Sequence, residues 1–201
     1  MLDGLLRPLV DPLLNKAAVS LGKLGFSANL ITGVGFIVGM LACFALTVKA
    51  YDLAAFFIIL SRIFDLLDGV VARIKNQASD WGGYLDIVLD FIIYAAFPFF
   101  FALGQPSVAL AAGFLLFFYM GTATTFLAFA TAAAKRGIVT EQTGKKSFYH
   151  QSGIIGASET VLFMLVCCFY PDGFSAFAAV FGILCWITAT QRFLQAQKLL
   201  K

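Results

Sequence analysis

Apolar residues run in blocks of about twenty along nearly the whole chain, with short polar clusters between them. A helical block of that length rises about 1.5 Å per residue and crosses the roughly 30 Å hydrocarbon layer of a bilayer. The pattern predicts six spanning helices, near Asn29–Val48, Ala54–Ile74, Trp81–Leu103, Val108–Ala134, Ile154–Tyr170 and Phe174–Leu194. Turn-forming clusters separate them at Lys49–Asp52, Lys75–Asp80, Gly104–Pro106, Lys135–Gly153 and Pro171–Gly173. Ahead of these, residues 3–24 gather Leu5, Leu6, Leu9, Leu13, Leu14, Ala17, Leu21 and Leu24 on one helical face, with Arg7, Lys16 and Lys23 among them. This reads as an amphipathic helix lying in the membrane interface, with an irregular start at Pro8 and Pro12. Met1–Phe26 is not expected to be a cleaved leader, because prolines and the acids Asp3 and Asp11 interrupt it. The expected fold is all-α and polytopic. One domain is expected over residues 1–201, with a juxtamembrane helix at 1–28 and a six-helix bundle at 29–201.

Composition agrees with a bilayer as solvent. The chain is 61% hydrophobic and 12% charged, where a soluble domain is roughly half apolar and a quarter charged. Its 14 Lys and Arg sit mostly between the apolar blocks, and the net charge is only +3. That is a topology signal and not a nucleic-acid footprint. One side collects Arg7, Lys16, Lys23, Arg73, Lys75, Lys135, Arg136, Lys145, Lys146, Arg192, Lys198 and Lys201; the other has Lys49. The rich side is expected to be cytoplasmic, with both termini on it, in a bacterial-type inner membrane. Cys43, Cys167, Cys168 and Cys185 fall inside apolar stretches with no C-x-x-C pair, and read as small buried hydrophobes.

Against this background four acids stand out. Asp65 and Asp68 fall in the second predicted helix, Asp86 and Asp90 in the third. A charge at mid-bilayer costs about 2.5–3.5 kcal/mol on insertion scales, so four demand compensation. At about 100° per residue, Asp65 and Asp68 lie roughly 60° apart and Asp86 and Asp90 roughly 40° apart. A short loop joins the two helices, which are expected to be antiparallel neighbours. The four side chains then meet at matched depth, roughly 13–19 Å from the loop at 1.5 Å per residue. Converging carboxylates stay ionised only beside cations. Oxygen-only ligands favour hard ions, which points to Mg²⁺ or Mn²⁺. A structural network with Arg62 and Arg73 is the competing reading, but two arginines do not neutralise four acids. Acids within helices also mark ion paths, so a divalent-cation transporter is a second reading.

The residues in order read Asp65-x-x-Asp68-Gly69-x-x-Ala72-Arg73, eight residues, Gly82-x-x-x-Asp86-x-x-x-Asp90. At every fixed position this resembles the signature of the CDP-alcohol phosphatidyltransferases. Asn29-Leu30-Ile31-Thr32 is similar to the Asn-x-x-Thr opening of the family's first helix. The resemblance implies transfer of a substituted phosphate from a CDP-linked lipid such as CDP-diacylglycerol to an alcohol, with release of CMP. It implies that Asp65, Asp68 and Asp86 hold one or two divalent ions, Mg²⁺ or Mn²⁺, against the pyrophosphate. Asp90 would touch the metal and act as general base. Asp65, Asp68, Gly69, Ala72, Arg73, Gly82, Asn29 and Thr32 would form the donor site, with room for the cytidine at Gly69 and Ala72. It also implies a homodimer in contact with membrane lipids, and no nucleic-acid partner. A catalytically inactive scaffold on the same fold is a third reading, which the intact signature argues against. The acceptor stays open among inositol phosphate, serine, glycerol phosphate, choline and other alcohols. The glycerol-phosphate branch typically has Pro and Lys where this chain has Ile87 and Phe91. Arg62, Arg136, Lys146 and Glu159 are the candidate acceptor contacts. The basic stretch Lys135–Gly153, which also holds Lys145 and His150, is the longest cytoplasmic loop.

Overall fold

The computed structural model describes residues 18–19, 25–136 and 153–200. Among them run six long helices and no strand: α1 Ala28–Thr47, α2 Tyr51–Ile74, α3 Asp80–Gly104, α4 Ala109–Lys135, α5 Ala157–Phe169 and α6 Phe174–Leu200. Single 3-10 turns, Pro106–Val108 and Pro171–Gly173, lead into α4 and α6. Of the expected interfacial helix over residues 3–24, only Ala18 and Val19 are described, and both are helical; the rest lies outside the described residues.

Local chemistry sets the helix ends. Ser27 Oγ accepts from the Leu30 amide at 3.3 Å and Ser79 Oγ from the Gly82 amide at 3.1 Å, which caps the starts of α1 and α3. The last turn of α2 closes through Asn76 at φ 52°, with the Gln77 amide bonded to Ala72 O at 2.8 Å and the Asn76 amide to Arg73 O at 3.3 Å. Asn tolerates this left-handed position better than a branched residue would. The same loop is tied to the start of α1, because Gln77 Oε1 accepts from the Ala28 amide at 3.3 Å and Lys75 Nζ donates to Phe26 O at 2.9 Å.

Among the described residues, four helices are long and apolar enough to cross a membrane: α1, α3, and α4 and α6 with their leading turns. Helix α2 has 24 residues but carries Arg62, Asp65, Asp68 and Arg73. Helix α5 has 13 residues and spans only about 20 Å. The outer surface is studded with large apolar side chains, among them Ile37 at 60% and Leu110 at 88% exposed. Lipid tails would cover such a surface, which soluble proteins rarely leave open. Trp81 and Tyr84 stack at 5.6 Å on the exposed face near the start of α3, a placement suited to the interface. The fold is all-α, polytopic and of membrane type.

The helices close a ring in the order α1, α3, α4, α6, α5, α2, with α5 and α6 meeting most lightly. One sequence expectation is corrected here. Helices α2 and α3 follow one another across a short loop, yet their backbones barely meet; both pack instead on α1. The glycines of α1 make this possible. A Cβ at Gly39 would lie 2.5 Å from Ile93 Cδ1 of α3 and 3.0 Å from Ser61 Oγ of α2. A Cβ at Gly35 would lie 3.0 Å from Phe64 Cβ, and Ser61 Oγ donates to Gly35 O at 2.8 Å. Small residues at a crossing let helix backbones approach closely where lipid supplies no hydrophobic drive. The gap left between α2 and α3 receives the acids.

The opposite end of the bundle is a packed aromatic core. Phe97, Phe101 and Phe174 are fully buried, with Phe101 stacked on Phe174 at 4.2 Å and Phe163 on Phe181 at 4.4 Å. All four cysteines are buried, in keeping with their reading as small hydrophobes.

Candidate active site

Asp65 and Asp68 of α2 and Asp86 of α3 each point a carboxylate oxygen into the gap, and these oxygens lie within 4.8 Å of one another. Two unit like charges 4 Å apart repel by about 4 kcal/mol at an effective dielectric constant near 20. Backbone packing of α2 and α3 against α1 holds the acids together despite that cost. Asp68 is 7% exposed, and its Oδ2 accepts from Thr32 Oγ1 at 2.6 Å. Ala28 O also lies 3.1 Å from that hydroxyl, but its one proton favours the shorter, charged partner.

Asp90 has a different neighbourhood. Its Oδ1 pairs with Arg62 Nη2 at 2.5 Å and its Oδ2 accepts from Arg62 Nη1 at 3.3 Å. The Tyr94 hydroxyl donates to the same Oδ2 at 3.2 Å. Arg62 Nη1 further reaches Asp65 Oδ2 at 3.4 Å and the Tyr94 hydroxyl at 3.3 Å. The structure therefore brings together three acids, with the fourth one turn along α3 and held by an arginine. Arg62 lies inside this group.

The four acids, Arg62 and Thr32 line a cleft of about 10 Å³, room for one water-sized body. The donors facing it are oxygens, the set that hard divalent ions select. One guanidinium among four carboxylates leaves an excess of negative charge that a divalent ion would largely cancel. The residues thus fit a metal ion.

Asp86 and Asp90 also line a second, larger cavity of about 480 Å³, a half-open space bordered by α3, α4, α5 and α6. Tyr94, Tyr119 and Arg192 supply much of its polar chemistry, and Phe91, Met120 and Phe126 are among its apolar walls. Arg192 is 8% exposed, donates from Nη1 to Thr122 O at 3.2 Å and lies over the Phe126 ring at 5.5 Å. The buried Tyr119 hydroxyl has no hydrogen-bond partner among the described residues.

The other sequence candidates fall as follows. Asn29 and Gly82 adjoin, since a Cβ on Gly82 would lie 3.2 Å from Asn29 Oδ1. Arg73 is exposed beside Gly69, where a Cβ would meet its Nη1 at 3.5 Å. Ala72 packs against the small core of Ala28, Ile31, Leu67 and Val71. Arg136 is exposed at the end of α4, with Nη1 3.5 Å from Leu199 O. Glu159 caps α5 by accepting from the Gly156 amide at 3.0 Å. Lys145, Lys146 and His150 lie outside the described residues. Sequence reasoning missed Tyr94, Tyr119 and Arg192 as site residues. It ended the last helix at Leu194 and counted Arg192, near that end, with the cations of the charge-rich side. The helix runs on to Leu200, and Arg192 faces the ring interior.

A model of the CDP-alcohol phosphatidyltransferase family matches residues 26–191, which include every acid of the cleft. The chain belongs to that family. A CDP-alcohol phosphatidyltransferase moves a substituted phosphate group from a CDP-linked donor to an alcohol, a step of phospholipid biosynthesis. Over 193 residues this member is 43% identical to inner membrane protein YnjF of Escherichia coli, covering 96% of this chain and 93% of that one. Such a relative and the apolar helices make it an integral membrane protein. Its fold is shared by the phosphatidylinositol phosphate synthase of Mycobacterium tuberculosis. The crystal structure of that enzyme with CDP-DAG bound gives a TM-score of 0.74 at 17% identity, covering 91% of this chain and 92% of that one. The same enzyme in complex with manganese and citrate gives 0.73 at 18% identity, covering 92% and 88%.

Proposed function

We propose that this transferase takes CDP-diacylglycerol as donor and holds Mg²⁺ or Mn²⁺ at Asp65, Asp68 and Asp86. It passes the phosphatidyl group to an alcohol entering the large cavity. The observation that carries this reading is one pair of acids shared by two spaces: Asp86 and Asp90 line both the ion-sized cleft and the 480 Å³ cavity. A donor pyrophosphate at the cleft and an acceptor hydroxyl in the cavity would then meet at Asp90. The solved structures of the same fold with CDP-DAG and with manganese support the choice of donor and ion.

When bound, a divalent ion neutralises charge on the donor pyrophosphate and on the departing CMP. Asp90 accepts the acceptor's hydroxyl proton as that oxygen bonds to the lipid-bearing phosphorus, and the bond from that phosphorus to the CMP oxygen breaks. Arg62 and the Tyr94 hydroxyl orient the Asp90 carboxylate for this. Thr32 orients Asp68. Asn29, Gly69, Ala72, Arg73 and Gly82 would receive the cytidine and its phosphates, as the family signature suggests. Arg192 and Tyr119 supply polar contacts for the acceptor inside the cavity, with Arg136 at the end of α4 and Lys146, outside the described residues, as further candidates. The whole chain forms one domain with six membrane-crossing helices, α2 and α5 included. The acidic end faces the cytoplasm with both termini, as the distribution of Lys and Arg suggests. The family resemblance suggests a homodimer, in a bacterial-type inner membrane.

The test is purified protein in nanodiscs with CDP-diacylglycerol, Mg²⁺ or Mn²⁺, and a panel of alcohols, scored by CMP release. CMP release that needs both ion and acceptor is the expected result. Absence of release with every acceptor and either ion contradicts the proposal.

A further inference from the structure

We propose that the acceptor is itself a membrane lipid, an alcohol with one anionic phosphate and a hydrocarbon body, and not a small polyol or amino alcohol drawn from water. This rests on the transferase reading above and goes beyond it by naming the acceptor's class.

Three features of the large cavity point the same way. The first is depth. Its walls follow α3 from Asp86 to Ala95, α4 from Phe126 back to Leu116 and α6 from Arg192 back to Cys185. At 1.5 Å per residue these runs cover about 10–15 Å, all leading from the level of the acids toward the aromatic end of the bundle. A volume of about 480 Å³ lies within the range of about 300–1,000 Å³ that holds drug-sized ligands. A small alcohol reacting at Asp90 would leave the deep part unfilled, where Ala95, Leu116 and Cys185 offer mostly hydrocarbon. The space is half-open, which lets the rest of a long chain stay outside it.

The second feature is how much of the wall's polar chemistry is already engaged. The Thr122 hydroxyl donates to Tyr119 O at 2.9 Å, the Thr160 hydroxyl to Gly156 O at 2.9 Å, and the Tyr94 hydroxyl to Asp90 Oδ2 at 3.2 Å. A polyol brings a hydroxyl on nearly every carbon, and each one buried without a partner is left with its desolvation cost. A hydrocarbon body has no such groups to satisfy.

The third feature is charge. Arg192 is the one cation among the described lining residues, and it is 8% exposed. Apolar rings occupy the interval between it and the reacting end. Phe91, next in the chain to Asp90, lies 6.4 Å from the Phe126 ring, and the Arg192 guanidinium lies 5.5 Å from that same ring. A planar guanidinium suits the oxygens of a phosphate. The matching acceptor places its hydroxyl at Asp90, its phosphate at Arg192 and its hydrocarbon along the deep walls. Its hydroxyl oxygen bonds to the donor's lipid-bearing phosphorus, its proton passes to Asp90, and CMP leaves with the electrons of the broken bond. The product carries two phosphates and two hydrocarbon bodies.

The experiment uses the full-length protein in phosphatidylcholine nanodiscs with CDP-diacylglycerol and Mg²⁺ or Mn²⁺, scored by CMP release and by mass spectrometry of the lipid formed. Phosphatidylglycerol in the disc is the lipid acceptor; glycerol 3-phosphate, inositol phosphate and serine are the soluble ones. CMP release is expected to rise with the mole fraction of phosphatidylglycerol, to exceed that with any soluble acceptor at least about tenfold, and to yield a lipid with two phosphates. A soluble acceptor that matches or exceeds phosphatidylglycerol overturns the inference and leaves the transferase reading standing. Absence of release with every acceptor overturns both. Met120→Gln makes the wall polar at nearly equal length, at a residue 65% exposed. With its fold checked by circular dichroism, it is expected to lower kcat/KM for phosphatidylglycerol about tenfold and to leave KM for the donor unchanged. A raised KM for the donor, with phosphatidylglycerol unaffected, gives the cavity to the donor's tails and overturns the inference.

Discussion

Replacing Thr32 with Val tests whether the first helix tunes the ion site. Val has nearly the shape of Thr, so the packing of α1 on α2 is kept while the donor to Asp68 is lost. The hydrogen bond is 2.6 Å long, and its acceptor belongs to a carboxylate only 7% exposed. A bond to a charged group in such a setting is worth about 1.5–3 kcal/mol. At about 1.4 kcal/mol per factor of ten, that corresponds to a roughly 10- to 150-fold change in equilibrium constant. Partners that orient metal-binding carboxylates typically change ion affinity by about 10- to 100-fold when removed, which agrees. The assay is CMP release as a function of free Mg²⁺, with Mn²⁺ dialysis beside it. Thr32→Val is expected to need roughly 10- to 100-fold more Mg²⁺ for half-maximal rate, with most of the rate recovered at saturation. Thr32→Ser, which keeps the hydroxyl, is expected to stay close to the unaltered protein. An unchanged Mg²⁺ requirement in Thr32→Val, with a raised KM for the CDP donor, would refute the reasoning. It would move Thr32 from the ion to the nucleotide.

Three further outcomes follow from the same geometry. Asp90→Asn is expected to lose turnover by at least about a thousandfold in single-turnover CMP release, while Mn²⁺ dialysis still finds one ion at the other three acids. Arg192→Ala is expected to raise KM for an anionic acceptor about tenfold or more and to leave KM for CDP-diacylglycerol unchanged, read from steady-state kinetics at fixed donor. Gly39→Ala crowds the point where α1, α2 and α3 meet, since its Cβ would press on Ile93 and Ser61. It is expected to cost about 1–3 kcal/mol, measured by thermal unfolding in detergent.

Much of this was legible in the residues. The apolar blocks placed the helices to within a few positions, because a lipid-facing helix needs almost unbroken hydrophobicity and the loops concentrate the charge. The four acids announced themselves by being out of place. What periodicity could not show was which helices touch. Loop length implied that α2 and α3 pack together, but the glycines of α1, set by Gly35 and Gly39, draw both helices onto α1 and leave the cleft open. Equal depth along two helices suggested that the four acids meet, and all four line one cleft. That Asp90 also pairs with Arg62 depends on side-chain direction, which spacing does not carry. Arg192 was hidden because a cation near the end of an apolar run reads as part of the positive-side charge. That it lines the large cavity depends on how α6 is turned in the ring, which the charge pattern does not carry.

Central to the account is an ion held by Asp65, Asp68 and Asp86. Anomalous diffraction from crystals soaked in Mn²⁺ and a CDP-linked donor tests it most directly. The account predicts a manganese peak within coordinating distance of oxygens from all three acids, with the donor pyrophosphate on its open side. A peak elsewhere, or side chains turned away from one another around an empty gap, would contradict it.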